Sequence, residues 1–484
     1  MIKSLLHSIR LSGLAMLAAA LPLLARGAEL VVVTVNNGHM IALQKVSAEF
    51  ERMRPDVRLR WVVLEEGPLR QQLTRDIATG AGHYDVMTIG AYEAPIWGRR
   101  GWLKPIEPTK AYDADDLLPP IRQALTVDGR LYALPFYGES SMTLVRTDLL
   151  KAAGIALPAQ PSWEQIRQAA RQLHAPDKGT YGICLRGKPG WGENITVVTT
   201  MVNTHGGQWF DLNWKPQIDT PPWHAAVSLY AELLTQYGPP GAVANGYNEN
   251  LALFMAGRCA IWVDATVAGS FVNRPDASRV AGKVAFLQAP TATTTKGSHW
   301  LWTWAMAIPA TSQKAEAAQA FIEWATSKDY VDIVARDLGW NAVPSGTRTS
   351  TYKQGPFQRS NRHAEVERQA IATADPRDAT LPRSPYVGVQ YAAIPEFQSI
   401  GTAVGQLLGQ VLQSELTVDE ALRKAQSLTE GKMRAAGYYG KPAAPARSAQ
   451  TEQGVDGSPA KHPVKARKPA KRPPRAPGAS QPKR

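Results

Sequence analysis

Residues 29–55 read ELVVVTVNNGHMIALQKVSAEFERMRP, a β-rich run followed by a helical pattern that brings Met40, Leu43, Val46 and Phe50 near one face. A second unit follows at once. VRLRWVVLEE (57–66) reads as a strand, GPLRQQLTRDIATG (67–80) as a helix and YDVMTIG (84–90) as another strand. Strand and helix patterns therefore alternate, which predicts an α/β fold with a largely parallel sheet covered by helices. Ligands of such sheets gather at the carboxyl ends of the strands. That rule singles out Asn36 and Asn37 after the first strand, Glu65 and Glu66 after the second and Asp85 around the third. Helix capping and ordinary loop polarity are the competing uses of the same residues.

A chain of 484 residues is too long for one comfortable hydrophobic core, so two packed domains, interleaved in sequence or not, are expected. With 44% apolar and 20% charged residues the composition is that of an ordinary globular protein, and its 14 tryptophans are the unusual part. The amino terminus, MIKSLLHSIRLSGLAMLAAALPLLARGA (1–28), carries Lys3 and Arg10, an apolar region from Leu11 to Ala25 and small residues near a cut between Ala25 and Ala28. This is secretory signal architecture, and the apolar stretch is short for a bilayer span. An uncleaved anchor is the alternative. With no cysteine near the cut, attachment through a lipidated amino-terminal cysteine is chemically closed. A soluble periplasmic body is expected after export.

The formal charge of +13 sits at the ends. Residues 1–28 supply +3, and residues 441–484, with 11 positive and 2 negative side chains, supply +9, which leaves about +1 by subtraction for residues 29–440. That body implies no basic groove for a phosphate backbone, and no nucleic-acid partner is expected. The tail from 441 onward lacks an apolar period, and its prolines and like charges predict a flexible segment. A solubilising role and contact with anionic envelope polymers or lipids both stay open for it. Cys184 and Cys259 are the only cysteines; they pair in an oxidising compartment or stay as two buried thiols, and their spacing does not decide.

Further along, LYALPFYGESSMTLVRTD (131–148) holds two strand-like runs interrupted by proline and glycine, as a chain crossing between domains would. PSWEQIRQAARQL (161–173) reads as a helix with Ser162 as cap and Gln165 completing a capping box. NENLALFMAGRCAIWVDATVAGS (248–270) gives a helix, a turn at Gly257 and the strand CAIWVDA, with a second crossing around KVAFLQAPTA (283–292). LWTWAMAIPATSQKAEAAQAFIEWATSKD (301–329) resumes with a strand, a turn and an amphipathic helix.

No HExxH, CxxC, phosphate-loop or GxGxxG pattern occurs in a convincing setting, so no metal and no cofactor is expected. His205 in NTHGG is a general base or, more simply, a local polar contact. Glu139, Glu193 and Asp264 are the carboxylates that a glycosidase would need in pairs, but each can accept hydroxyl hydrogen bonds without reacting. Carboxylates beside tryptophan suit a sugar or polyol, whose hydroxyls need acceptors and whose C–H faces need flat apolar walls. Asp264 has Trp262 on the same strand face, Trp209 stands near Asp211, and Trp191 near Glu193 and Asn194. Asp264 either contacts ligand or makes a structural ion pair or cap. Trp300, Trp302 and Trp304 share one face of a regular strand; Trp302 and Trp209 are the preferred stacking platforms, with core packing as the alternative.

The blocks YDVMTIGAYEAPIWGRRGWL, YALPFYGESSMTLVRTDLL, GKPGWGEN, NTHGGQWFDLNW, WVDATVAGS and LWTWAMAIPATS together resemble extracellular solute-binding proteins of ABC transporters, family 1, in the group associated with sorbitol, mannitol and related polyols. The resemblance covers roughly 29–440. It implies two α/β lobes with a ligand cleft between them, 29–138 plus 290–345 forming one and 139–289 plus 346–440 the other. It also implies a monomer that delivers a polyol or small sugar to a membrane permease with a separate ATPase subunit, and no enzymatic turnover. Carried over motif by motif, the ligand-binding positions are Asn37, Asp85, Glu139, Trp209, Asp264 and Trp302, followed by Arg186, Trp191, Asn341 and Arg383. A secreted carbohydrate-active enzyme and a sensory carbohydrate-binding module are the competing functions.

Overall fold

Residues 27–439 are described by the computed structural model, and eleven strands lie within them. In chain order these are β1 (Ala28–Val35), β2 (Val57–Leu64), β3 (Val86–Gly90), β4 (Thr126–Val127), β5 (Arg130–Leu131), β6 (Leu134–Glu139), β7 (Ser141–Arg146), β8 (Tyr181–Cys184), β9 (Cys259–Ala265), β10 (Val284–Gln288) and β11 (Trp302–Ala307). The basic tail and the export segment, apart from Gly27 and Ala28, lie outside the described residues. No helix among the described residues is long and apolar enough to cross a membrane.

The repeated strand–helix unit at the start builds the first sheet, in the order β2-β1-β3-β11-β6. β1 is parallel to both β2 and β3, with the helices Gly38–Val46 and Glu66–Thr79 as connections. From Leu30 to Val35 β1 is buried on both faces, which is why six consecutive positions carry apolar or β-branched side chains instead of alternating. The second sheet has the order β10-β7-β9-β8. Neither sheet is as parallel as the opening pattern predicts. β11 runs antiparallel to β3 and β6, and β7 runs antiparallel to β9 and β10. The cause is the interleaved path: the chain enters the second sheet and returns, and a returning strand need not obey the crossover geometry of a strand–helix–strand unit.

Only Ser140 separates the last residue of β6 from the first of β7, so the chain steps directly from one sheet to the other. This step is tied down. Ser140 N donates to Thr266 Oγ1 at 3.1 Å, Thr266 N to Ser140 O at 2.7 Å, and Ser141 Oγ to Ser298 O at 2.7 Å. The return passes between β10 and β11. Helix Trp163–Leu173 starts with the capping box read from its sequence, Gln165 N donating to Ser162 Oγ at 3.1 Å and Ser162 N to Gln165 Oε1 at 2.8 Å. Cys184 and Cys259 form a disulfide between the neighbouring strands β8 and β9, buried in a cluster with Trp262, Phe254 and Met142.

Candidate functional site

The carboxyl ends of the first sheet's parallel strands face loops of the second sheet across a cleft. β1 delivers Asn36 and Asn37, β2 delivers Glu65 and Glu66, and β6 delivers Tyr137 and Glu139. Because β11 is antiparallel to them, its first residues, Trp302 and Trp304, lie at the same end. The loop after β8 brings Arg186, Lys188, Trp191 and Glu193, and the start of helix Tyr247–Met255 brings Tyr247, Asn248 and Glu249. Trp300 and Gln390 complete the wall. The cavity between the walls has a volume of about 60 Å³, room for a handful of waters or one small solute. The walls touch: Asn248 Nδ2 donates to Asn36 O at 3.1 Å, and a β-carbon at Gly192 would collide with Glu66 Oε1.

Arg186 is the charged centre of the second wall. Its Nε donates to both oxygens of Asp264 at 3.1 and 3.0 Å, its Nη2 to Oδ1 at 2.6 Å and its Nη1 to Gly192 O at 2.8 Å. Burial opposes its charge, but the Asp264 charge and hydrogen bonds more than offset this, and the guanidinium stays ionised. Asp264 itself is fully buried and does not line the cleft. It also accepts from Trp262 Nε1 at 3.1 Å and Ala265 N at 2.6 Å, so its lone pairs are committed to protein donors. The carboxylate in the apolar strand CAIWVDA therefore holds an arginine, and the arginine meets the cleft.

Arg70 is the matching centre of the first wall. Its Nε and Nη2 donate to Glu66 Oε1 at 3.0 and 2.9 Å, and Nη1 donates to Glu93 Oε1 at 2.5 Å. The guanidinium carbon lies 4.1 Å from the ring centre of Trp191, 4.8 Å from Trp302 and 4.9 Å from Trp304. This is a cation set among three indoles, two from β11 and one from the loop after β8. Trp191 meets Tyr92 at 4.7 Å and Trp302 at 5.9 Å between ring centres, so the aromatic wall is continuous across the cleft.

Two further carboxyls face the cleft, Glu139 without an ion pair among the described residues and Glu193 with its Oε2 3.7 Å from Arg186 Nη1. Glu139 is 7% exposed, and no protein donor bonds its side chain among the described residues. Burial pushes it up to about 8 against the pull of Arg186. Glu193 is also raised by burial to about 8, and its Oε2 has no hydrogen-bond partner among the described residues. Tyr247 Oη, Trp191 Nε1 and Trp300 Nε1 are likewise buried without a protein partner. Unpaired acceptors and unpaired donors facing one small cavity are what a solute with hydroxyl groups would satisfy.

Five expected positions thus line the cleft: Asn37, Glu139, Arg186, Trp191 and Trp302. Five others, Asp264 among them, do not. Asp85 precedes β3, at the end away from the cleft, where it accepts from Val31 N at 3.0 Å, Ser312 Oγ at 2.8 Å and Lys314 Nζ at 3.0 Å. Trp209 is a core side chain, its ring centre 4.7 Å from that of Trp223 and 5.0 Å from that of Phe397, and its Nε1 donates to Thr199 Oγ1. Asn341 donates to Ser360 O at 2.8 Å in a short helical turn, and Arg383 is exposed on a loop. His205 bonds Met201 O through Nδ1 at 2.8 Å and is a local contact. Asn37 caps helix Gly38–Val46 through Oδ1 and donates from Nδ2 to Tyr137 Oη at 2.9 Å, so capping and cleft-lining coexist in one residue. Arg70, Tyr247 and Glu66 are the main lining residues that motif reading passes over or leaves general; the Glu65–Glu66 doublet at a strand end was the available signal.

Two α/β lobes joined by directly crossing strands, with a small polar and indole-lined cleft between them, define a solute-capturing protein of the periplasmic binding type. Residues 37–332 match the family described as bacterial extracellular solute-binding protein. A mannitol-binding protein of Pseudomonas aeruginosa is 50% identical over 427 residues, covering 88% of this chain and 98% of the relative. An ABC transporter solute-binding protein of Agrobacterium vitis S4, solved with bound D-mannitol, is 52% identical with a TM-score of 0.84, covering 86% of this chain and 100% of that one. A solute-binding protein of Agrobacterium radiobacter K84, solved with ribitol, shares the fold at 24% identity and a TM-score of 0.75, over 84% of this chain and 99% of that one. The chain belongs to the bacterial extracellular solute-binding protein family, whose members capture solutes and do not turn them over.

Proposed function

We propose that this chain captures a linear polyol of the D-mannitol type in the cleft and delivers it to a membrane permease driven by a separate ATPase subunit. The observation that carries the reading is the set of buried, partnerless polar atoms around one small cavity, Glu193 Oε2 as acceptor and the Trp191, Trp300 and Tyr247 polar hydrogens as donors, with the Glu139 carboxyl lining the same cavity. A polyol alternates hydroxyls that both donate and accept with C–H faces that pack on Trp302 and Trp300. Arg186, oriented by Asp264, adds a cationic edge. Likeness to the Pseudomonas aeruginosa mannitol-binding protein and to the Agrobacterium vitis S4 protein solved with D-mannitol supports the choice of guest.

The two sheets support a division into lobes at about 29–138 plus 290–345 and 139–289 plus 346–440, with the Ser140 step and the β10–β11 return as hinges. Ligand bridging both walls favours the closed arrangement over an open one, and the closed surface is what the permease would recognise. The reading places the working protein, a monomer, in the periplasm after removal of the export segment. Calorimetric titration of the signal-free protein with D-mannitol, D-sorbitol, D-arabitol, monosaccharides and disaccharides tests it. Saturable one-to-one binding of at least one linear polyol, tighter than any disaccharide, is the expected result. No binding by any polyol would refute it.

A further inference from the structure

Resting on that polyol reading, the charge distribution of the cleft carries it further. Each arginine of the cleft is already neutralised by carboxylates of its own wall. Arg186 spends three hydrogen bonds on Asp264, and Arg70 spends three on Glu66 and Glu93. Glu193, raised by burial, is pulled back first by Arg186, whose Nη1 stands 3.7 Å from its Oε2, and then by Lys188. Glu139 is left with no cation of its own. It ends β6 directly across from Trp302 on β11, and it is buried without a protein donor on its carboxylate among the described residues. Its charge is felt at the buried phenols of Tyr137 and Tyr247, and Tyr247 Oη has no partner.

A hydroxyl can donate one hydrogen bond to such a carboxyl but brings no charge. A primary ammonium brings three donors and the missing positive charge, and it can share them among Glu139, the Tyr247 oxygen and a ligand hydroxyl. A buried carboxylate is costly without a counter-charge and becomes favourable with one in good geometry. Indole and phenol walls add attraction for a cation. We propose that the cleft also accepts acyclic polyols carrying one primary ammonium group, with the ammonium seated at Glu139, and that it discriminates against the corresponding polyol acids. The acid is disfavoured because both arginines are already paired and Lys188, the remaining cation of the lining, already acts on Glu193, so its carboxylate would be buried without a cation of its own.

The test is calorimetric titration of the signal-free protein at neutral pH with three matched guests: D-mannitol, 1-amino-1-deoxy-D-mannitol and D-mannonate, on wild type and on Glu139→Gln. The amine is expected to bind wild type at least as tightly as D-mannitol, and the acid at least about tenfold more weakly. Glu139→Gln should weaken the amine at least about tenfold more than it weakens D-mannitol. An amine more than about tenfold weaker than D-mannitol on wild type, or equal losses of both guests in the variant, overturns the proposal. Should the variant not fold, the wild-type preference for the amine is measured at about pH 7 and about pH 10.5, either side of the free amine's own titration. A ratio of the two affinities that falls at the higher pH supports the ammonium site, and an unchanged ratio overturns it. Binding of the amine alone would refute the neutral-polyol reading while leaving the ammonium site standing; binding of neither would remove both.

Discussion

Removing Asp264 tests the reason a carboxylate lies inside an apolar strand. In Asp264→Ala, the Arg186 guanidinium, 5% exposed, loses three hydrogen bonds and its counter-charge, and Trp262 Nε1 and Ala265 N lose their acceptor. Breaking a buried pair from one side costs about 3–5 kcal/mol, and the other losses belong to the same network and do not add in full. At about 1 °C per kcal/mol for a folded body of about 410 residues, the apo protein should melt roughly 3–6 °C lower. Differential scanning calorimetry of ligand-free protein reads this shift, and titration with D-mannitol reads binding, which should fall because Arg186 is no longer held at the cleft. Replacing both partners with apolar groups, Arg186→Met with Asp264→Leu, removes the unpaired charge and should recover most of the lost stability without recovering binding. An Asp264→Ala loss below about 1 kcal/mol, or near-normal D-mannitol affinity in the double variant, would refute the reasoning.

Trp209→Ala should cost about 3–5 kcal/mol by emptying the site between Trp223 and Phe397. The milder Trp209→Phe should leave D-mannitol affinity near normal, and a large affinity change there would return Trp209 to the cleft. The raised carboxyls predict a pH dependence with a definite sign. Glu139 and Glu193 are pushed by burial from an ordinary 4.5 to about 8, so their protonated forms fit the closed apo protein. The stability this confers is complete below about pH 4.5 and is lost as pH rises through about 8, by at most ~1.4 kcal/mol per pH unit for each group. Denaturant titrations across that window should show the decline, and Glu139→Gln should flatten it; an unchanged profile in the variant would contradict the origin given for it. Finally, the Cys184–Cys259 disulfide closes a loop with a sequence separation of 75. Cys184→Ser with Cys259→Ser should cost about 2–5 kcal/mol in denaturant titrations while D-mannitol binding persists, because neither residue lines the cleft.

Much of the first sheet was legible because β1 and β3 are buried on both faces, the edge strand β2 is partly exposed with arginines outward, and the helix after β2 is amphipathic, so period and strand-end polarity point the same way. The strand-end rule reached Asn36, Asn37, Glu65 and Glu66 without any motif. It misplaced Asp85, which stands just before β3 at the amino end of the strand, where the rule for carboxyl ends does not apply. For Asp264, alternation put Trp262 and the carboxylate on one face and that held, but it could not say that Arg186, 78 residues earlier, occupies the space in front of it. Trp209 failed for a related reason: its flanking glycines were visible, the Trp223 and Phe397 rings packed on it were not. Arg70 looks in sequence like an ordinary helical partner of Glu66 four residues back. Its role depends on Trp191, Trp302 and Trp304, which only the fold assembles.

The central claim, that a linear polyol is held between the two walls, is tested most directly by a crystal structure of the signal-free protein grown with D-mannitol. The account predicts polyol density in the cleft, flanked by Trp302 and Arg186 with a hydroxyl on Glu139. Density at another site, or a cleft filled only by water at saturating D-mannitol, would contradict it.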